Sequence, residues 1–235
     1  YLARDSMNQK RPGIDDTNYH MIALAKNKKG YQNLVKILTA AHLQGYYYKP
    51  RVDEEFLALH SEGIIALSSC LAGKISRLIL SQKLEEAEET ALRHQKIFGN
   101  GNYYLELQHH PAIKEQKIVN DALIILSEKT GIPLVATADS HYLRKEDNDA
   151  QDILMLINTG SKSDDPERLT LKNDDFSLKS THEMAELFQD IPEAIENTIE
   201  IAKRCSFEIP LGTYYLPDYP VPEGMTLDEF MIEES

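Results

Sequence analysis

The sequence predicts an α/β fold with parallel strands, and three observations carry that prediction. Apolar runs of strand length recur at Glu62–Cys70 (EGIIALSSC), Asn102–His110 (NYYLELQHH) and Ile132–Tyr142 (IPLVATADSHY). Between them lie segments with helical periodicity, Lys74–Phe98 and Lys114–Thr130, the second stopped by Gly131. The links are short, so strand, helix, strand, helix, strand follow one another closely. Such alternation requires crossover connections, which implies an α/β barrel or a doubly wound sheet.

The elements follow in order. Tyr1–Thr17 reads as a short strand and then a polar connection turning at Pro12-Gly13. Tyr19–Ala25 (YHMIALA) is a candidate strand with His20 near its start, and Leu34, Leu38 and Ala41 predict a helix after Gly30. Gly45–Tyr48 (GYYY) closes that helix with aromatic residues that read as packing. The long stretch Lys74–Phe98 has room for two helices, with the acidic run Glu85–Glu89 as a solvated face. On the next strand, Tyr103, Leu105, Leu107 and His109 share one side, and Ile118, Ala122 and Ile125 form the apolar stripe of the helix after it.

Beyond Tyr142 the pattern turns helical. Ala150, Ile153, Leu154 and Ile157 recur at helical spacing, and Gly160–Lys172 is a polar loop. Phe176–Lys179 is a short extended piece, after which Ser180 and Glu183 form a capping box. Pro192 opens a helix carrying Ile195, Ile199 and Ala202. Pro210, Pro217, Pro220 and Pro222 then mark an extended linker, and the last residues (TLDEFMIEES) begin another helix. The expected division is a domain over 1–209 and a linker with the start of something further over 210–235.

Composition narrows the function. In 235 residues, 38 acids against 25 bases give a formal charge of −13, which repels nucleic acid unless a local basic patch or a metal intervenes. The longest basic cluster, Lys26–Lys29, reads as a solvated turn. No apolar run approaches a membrane span and no signal peptide is visible, so the expected location is cytoplasmic and no membrane partner is expected. Cys70 and Cys205 stand far apart and suggest no disulfide framework.

The chemistry concentrates at the ends of the three apolar runs. In the last, Val135, Thr137, Asp139 and His141 share one face, a chelating arrangement at a strand's C-terminal end. The other two runs end in Cys70 and in His109 or His110. Singly, each has an ordinary structural reading: a buried cysteine is a small hydrophobe, and a rim histidine bonds a carbonyl. Together they predict a site for zinc, manganese or magnesium, the thiol and imidazoles being softer donors and the carboxylate a harder one.

The segments YHMIALAKNKKGYQNL, YYKPRVD, EGIIALSSCLAGKI, YYLELQHH, IPLVATADSHYLRKED and FSLKSTHEMAELF lie in this order along nearly the whole chain. They closely resemble the polymerase and histidinol phosphatase (PHP) domain of bacterial replicative DNA polymerase III alpha subunits. That resemblance implies a distorted (β/α)7 barrel, incomplete here, bearing a multi-metal cluster at one rim. It places metal ligands at His20, Cys70, Asp139 and His141, with His109 a further candidate, and makes Asp139 and His141 catalytic. It implies a metal-dependent 3′-5′ exonuclease site within a DNA-directed DNA polymerase whose own Mg site lies outside this chain. Primer-template DNA, other replisome subunits and a separate proofreading exonuclease are the implied partners. Two alternatives remain in view: a non-catalytic module that stabilises the polymerase and docks such an exonuclease, and a free-standing histidinol-phosphatase-like enzyme. Two features depart from the pattern. SSC and TAD stand where SGC and TND are frequent, and the family's N-terminal donors are absent ahead of Tyr1. The expectation is therefore a missing N-terminal segment and about half a cluster.

Overall fold

The fold was established in a computed structural model that describes residues 1–214, 216 and 219–235. Its organising element is a four-stranded sheet. A small antiparallel pair, β1 (Leu2–Ala3) and β2 (Asn18–Tyr19), precedes β3 (Ile22–Ala25). Helix α1 (Lys28–Leu43) begins at Asn27, whose side chain accepts from the Gly30 amide, and α2 (Glu54–Leu59) at Asp53, which accepts from Phe56. Strand β4 (Ile64–Leu67) leads to α3 (Lys74–Leu80) and α4 (Leu84–Phe98), β5 (Tyr103–Gln108) to α5 (Lys114–Thr130), and β6 (Leu134–Thr137) to α6 (Asn148–Thr159). The expected alternation is present, and Lys74–Phe98 is indeed two helices.

The sheet order is β3-β4-β5-β6, with β4, β5 and β6 parallel and β3 antiparallel to β4. The mixed sheet revises the expectation of parallel strands throughout. One face carries Ile64, Ala66, Tyr103, Leu105, Leu107, Leu134 and Ala136 into the main core beneath α1, α3, α4 and α5. The other carries Ile65, Leu67, Tyr104 and Val135 against Ile201 of α8 (Pro192–Arg204), tied to β6 by Asn197 Nδ2 donating to Leu134 O at 2.7 Å. Burying each such Leu or Ile contributes about 2 kcal/mol.

The helix stripes coincide only in part with those read from the sequence: Ala41 is buried, and Leu34, Ala122 and Ile195 pack against the core as expected, but other positions differ. In α5 the core residues are Val119, Leu123 and Leu126, while Ile118 and Ile125 are exposed. In α1 Leu38 is exposed and Asn33, Ile37 and Ala40 are inside, and in α8 Ala194 and Ile201 are buried and Ile199 is not. Ile153, Leu154 and Ile157 of α6 face outward. Tyr46 and Tyr48 of the aromatic cluster are likewise exposed. The capping box at Ser180 is present at the start of α7 (Thr181–Leu187), and a second, Thr226 with Glu229, opens α9 (Leu227–Glu234). Described residues between Cys205 and Thr226 carry no helix or strand; Pro217, part of the expected linker, lies outside the described residues. Among the described residues no helix is long and apolar enough to cross a membrane.

Two buried polar knots brace the body. The Arg51 side chain is fully buried and its guanidinium donates to the carbonyls of Gly45, Asp15, Gln9 and Met7, fixing the polar connection before β2. On the core face, His94 Nε2–H donates to Glu54 at 3.1 Å and its Nδ1 accepts from the Tyr103 hydroxyl at 3.1 Å, while Lys74 and Arg93 each reach Glu54 at 2.7 Å. Burial pushes the Glu54 carboxyl up, but hydrogen bonds from His94, Arg93 and Lys74 outweigh it and hold the group well below the usual range. Burial also pushes His94 down, so the contact joins a neutral imidazole to a carboxylate.

Candidate metal centre

The side chains singled out from the sequence reach one cleft because of what happens to the backbone just past each strand. Beyond β4 the chain turns at Ser69, in the left-handed region at φ 67°, which brings Cys70 round to the rim. The turn closes with Gly73 N donating to Cys70 O at 2.8 Å. A Cβ at Gly73 would stand 2.2 Å from Ser68 O, so this turn accepts only glycine there. Beyond β6, Asp139 is itself left-handed at φ 48°, a conformation Asp tolerates better than most residues. His20 precedes its strand, the reverse of the other donors, and the antiparallel β3 explains why it still reaches the rim. Ile22, where β3 starts, pairs with Leu67, where β4 ends. His20 N then donates to Ala72 O at 3.0 Å, beside the Cys70 turn.

His20, Cys70, Asp139 and His141 thus line one cleft of about 640 Å³. His109 does not belong to it. It sits on the same side of β5 as Leu105 and Leu107, the side turned to the helices, and packs edge-on against Phe188 at 6.3 Å between centroids. His110, one residue on, points the other way into the cleft. Its ring is buried and stacked on Phe176 at 4.3 Å, and neither ring nitrogen has a hydrogen-bond partner among the described residues. Its Nε2 lies 3.7 Å from Asp139 Oδ2. The signal for preferring His110 was parity, since it shares a face with Glu106 and Gln108.

The neighbours set the chemistry of each group. His141 Nδ1–H donates to the Asp139 carbonyl at 2.7 Å, which leaves Nε2 as the free lone pair. The Cys70 thiol lies 3.6 Å from His20 Nδ1; burial pushes the thiol up and the imidazole down, so both are neutral together. Beneath them Glu106 is almost fully buried, and burial pushes its carboxyl up against the hydrogen bonds of Thr137 at 2.6 Å and Gln108 at 2.9 Å. Both donors serve Oε1, and Oε2 has no partner among the described residues. Phe176 walls the cleft between two imidazoles, edge-on to His141 at 5.5 Å, and is held by its own amide donating to the Tyr142 hydroxyl and its carbonyl accepting from His141 N.

Thiol, carboxylate and imidazoles around one cleft, with an unpartnered buried histidine aimed into it, are a donor set that fits a divalent cation. Among the described residues, no three His, Cys, Asp or Glu side chains are drawn close enough to one point to hold an ion. The fit is therefore one of donor chemistry rather than of a closed shell.

The family model for the PHP domain matches residues 4–110, and this part of the chain is a PHP domain. Over nearly its whole length the chain is similar to DNA polymerase III alpha subunits. It is 46% identical to that of Borreliella burgdorferi over 98% of the chain, 48% to that of Treponema pallidum over 99%, and 39% to that of Thermus aquaticus over 99%. In each case it spans 20% of the relative's length.

Proposed function

We propose that this chain is part of a replicative DNA polymerase III alpha subunit, and that its cleft is a cation-dependent phosphodiesterase site with 3′-5′ exonuclease activity. One observation carries the reading: donors from separate strand ends, His20, Cys70, Asp139 and His141, face a single cleft that also contains a buried, unpartnered His110. On this reading the sheet is a portion of a distorted (β/α)7 barrel. Residues 1–209 form the domain, and 210–235 lead toward a polymerase core with its own Mg site. The protein works in the cytoplasm with primer-template DNA and other replisome subunits.

Zinc, manganese or magnesium bound here would supply Lewis-acid polarisation of a phosphodiester oxygen and a bound water of lowered pKa. The chain's own residues supply the rest. Asp139 contributes charge, His141 a lone pair whose direction its Nδ1–H bond fixes, and Cys70 and His20 a softer pair. Phe176 excludes water from one wall. His109, on the far face, has no part.

The test is bound metal and single-strand nuclease activity in the full-length protein, with Asp139→Ala and His141→Ala alongside. Stoichiometric metal and degradation of single-stranded DNA, both lost in each variant, are expected. Unchanged metal content in the variants would sink the assignment. A non-catalytic module that docks a separate exonuclease is the second reading, favoured by the donors' failure to converge on one point and by the −13 charge. Metal without nuclease activity in a protein that polymerises normally would select it. A free-standing phosphatase is disfavoured, because the relatives are polymerase subunits of which the chain spans a fifth.

A further inference from the structure

A second cavity, of about 420 Å³, adjoins the metal cleft, and its charge runs against that of the chain. It is lined by five bases (Arg4, Lys74, Arg77, Lys83 and Arg93) and three acids (Asp5, Glu86 and Glu89), in a chain whose formal charge is −13. No basic run in the sequence announces it, because the cations arrive separately from the segment after β1, from α3 and from the start and end of α4. Three of them are already engaged: Lys74 and Arg93 by Glu54, and Lys83 by Glu86. Asp5 is drawn off by Arg11, outside the groove, at 3.0 Å. Among the described residues no carboxylate lies within ion-pair distance of Arg4 or Arg77. Both are exposed, so both guanidinium groups stand ready for an external anion.

Two further features say which anion. Arg77 lines both the groove and the cleft, so a ligand held by it in one lies beside the other. Tyr19 lies in the groove among the cations, and the next residue, His20, lines the cleft. Cations that track a backbone together with an aromatic face for a base are what single-stranded nucleic acid requires. The frame is rigid: the bridge between His20 and Gly73 fastens the Tyr19 strand to the turn that starts α3, on which Arg77 sits.

We propose that this groove binds the sugar-phosphate backbone of a single strand, with Arg4 and Arg77 on successive phosphates and Tyr19 against a base, and that Arg77 delivers the strand into the metal cleft. The inference rests on the phosphodiesterase reading above for the direction of travel, but binding in the groove needs no cation.

That independence sets the experiment. The full-length protein, in EDTA, is photo-cross-linked to a single-stranded oligodeoxynucleotide carrying 5-iodouracil, and the adducts are mapped by peptide mass spectrometry. An adduct on the Tyr19 peptide is expected, lost in Arg77→Glu and Arg4→Glu and retained in Arg77→Lys. Binding at this site should lose about one unit of salt slope per arginine replaced by alanine. No adduct at Tyr19, or one indifferent to both charge reversals, overturns the proposal, as does displacement of the oligonucleotide by polyglutamate, which would mark an acidic-peptide site. Metal-dependent nuclease activity without a Tyr19 adduct sinks the groove alone. An adduct in a protein that binds no metal supports the groove and sinks the phosphodiesterase reading.

Discussion

Two polar networks grow from opposite faces of β5, and they differ in whether they are closed. On the core face, Tyr103, His94, Glu54, Lys74 and Arg93 satisfy one another, every contact at hydrogen-bond distance. On the cleft face, Glu106 Oε2 and both nitrogens of His110 are left over. The same strand, with the same access to polar neighbours, completes one set and leaves the other open. A closed network braces the fold, since removing any member strands a buried partner. An open one costs stability unless something else occupies it, which marks its members as candidates for a functional role.

Four substitutions sharpen the contrast, from largest effect to smallest. Tyr103→Ala empties a fully buried site in the closed network and is expected to cost about 3–5 kcal/mol in urea unfolding. A loss below about 1 kcal/mol would deny that network its bracing role. Glu54→Gln should cost about 1–3 kcal/mol at neutral pH by leaving Lys74 and Arg93 without a counter-charge. Because the Glu54 carboxyl is held low in the fold, its contribution is complete above the ordinary carboxylate range and fades as the solution becomes more acidic. The difference between wild type and variant should therefore shrink on acidification; a growing gap would reverse the sign of the argument.

His110→Leu tests the open side. Stability should hold or rise, since an orphaned polar ring gives way to an apolar one, while divalent-cation affinity by titration calorimetry should fall about 10–100-fold. A clear loss of stability with affinity intact would make His110 structural instead. The mildest effect concerns Asp175, whose carboxyl is pushed up by burial but brought down to about 2 by Ser177 and Lys179. Its contribution is intact above about pH 4 and declines toward about pH 2. The amide resonances of Phe176 and Leu178 should shift across that window in wild type and stay unmoved in Asp175→Asn.

The sequence disclosed the alternation of elements, the caps and the strand ends whose side chains line the cleft, because these depend on local spacing. It located helix faces only in part, although the shared face of Tyr103, Leu105, Leu107 and His109 on β5 is as read. The stripes of α1, α5 and α8 were read from the most apolar residues, but the faces that meet the sheet include Asn33, Gln116 and Ala194, whose small or amide side chains fit the approach. His109 was taken from the family resemblance where the strand pattern left His109 or His110 open, and because a one-residue step exchanges the faces of a strand, it is His110 that lines the cleft. His20 was carried by resemblance alone, since nothing local shows that β3 runs antiparallel. The basic groove was invisible because no two of its unpaired cations are neighbours in sequence.

The turn at Ser69 carries a consequence for how the cleft works. A residue with a side chain held at φ 67° is strained by about 1–2 kcal/mol. Ser69→Gly should therefore raise the unfolding free energy by up to about 1 kcal/mol without moving Cys70. Together with the bend at Asp139, the strained turn means that two of the donors are aimed by the folding of the chain rather than by the arrival of a guest. Occupancy of the cleft should accordingly change side-chain rotamers and leave the backbone where it is, and a structure with and without cation should superimpose at residues 69–70 and 139.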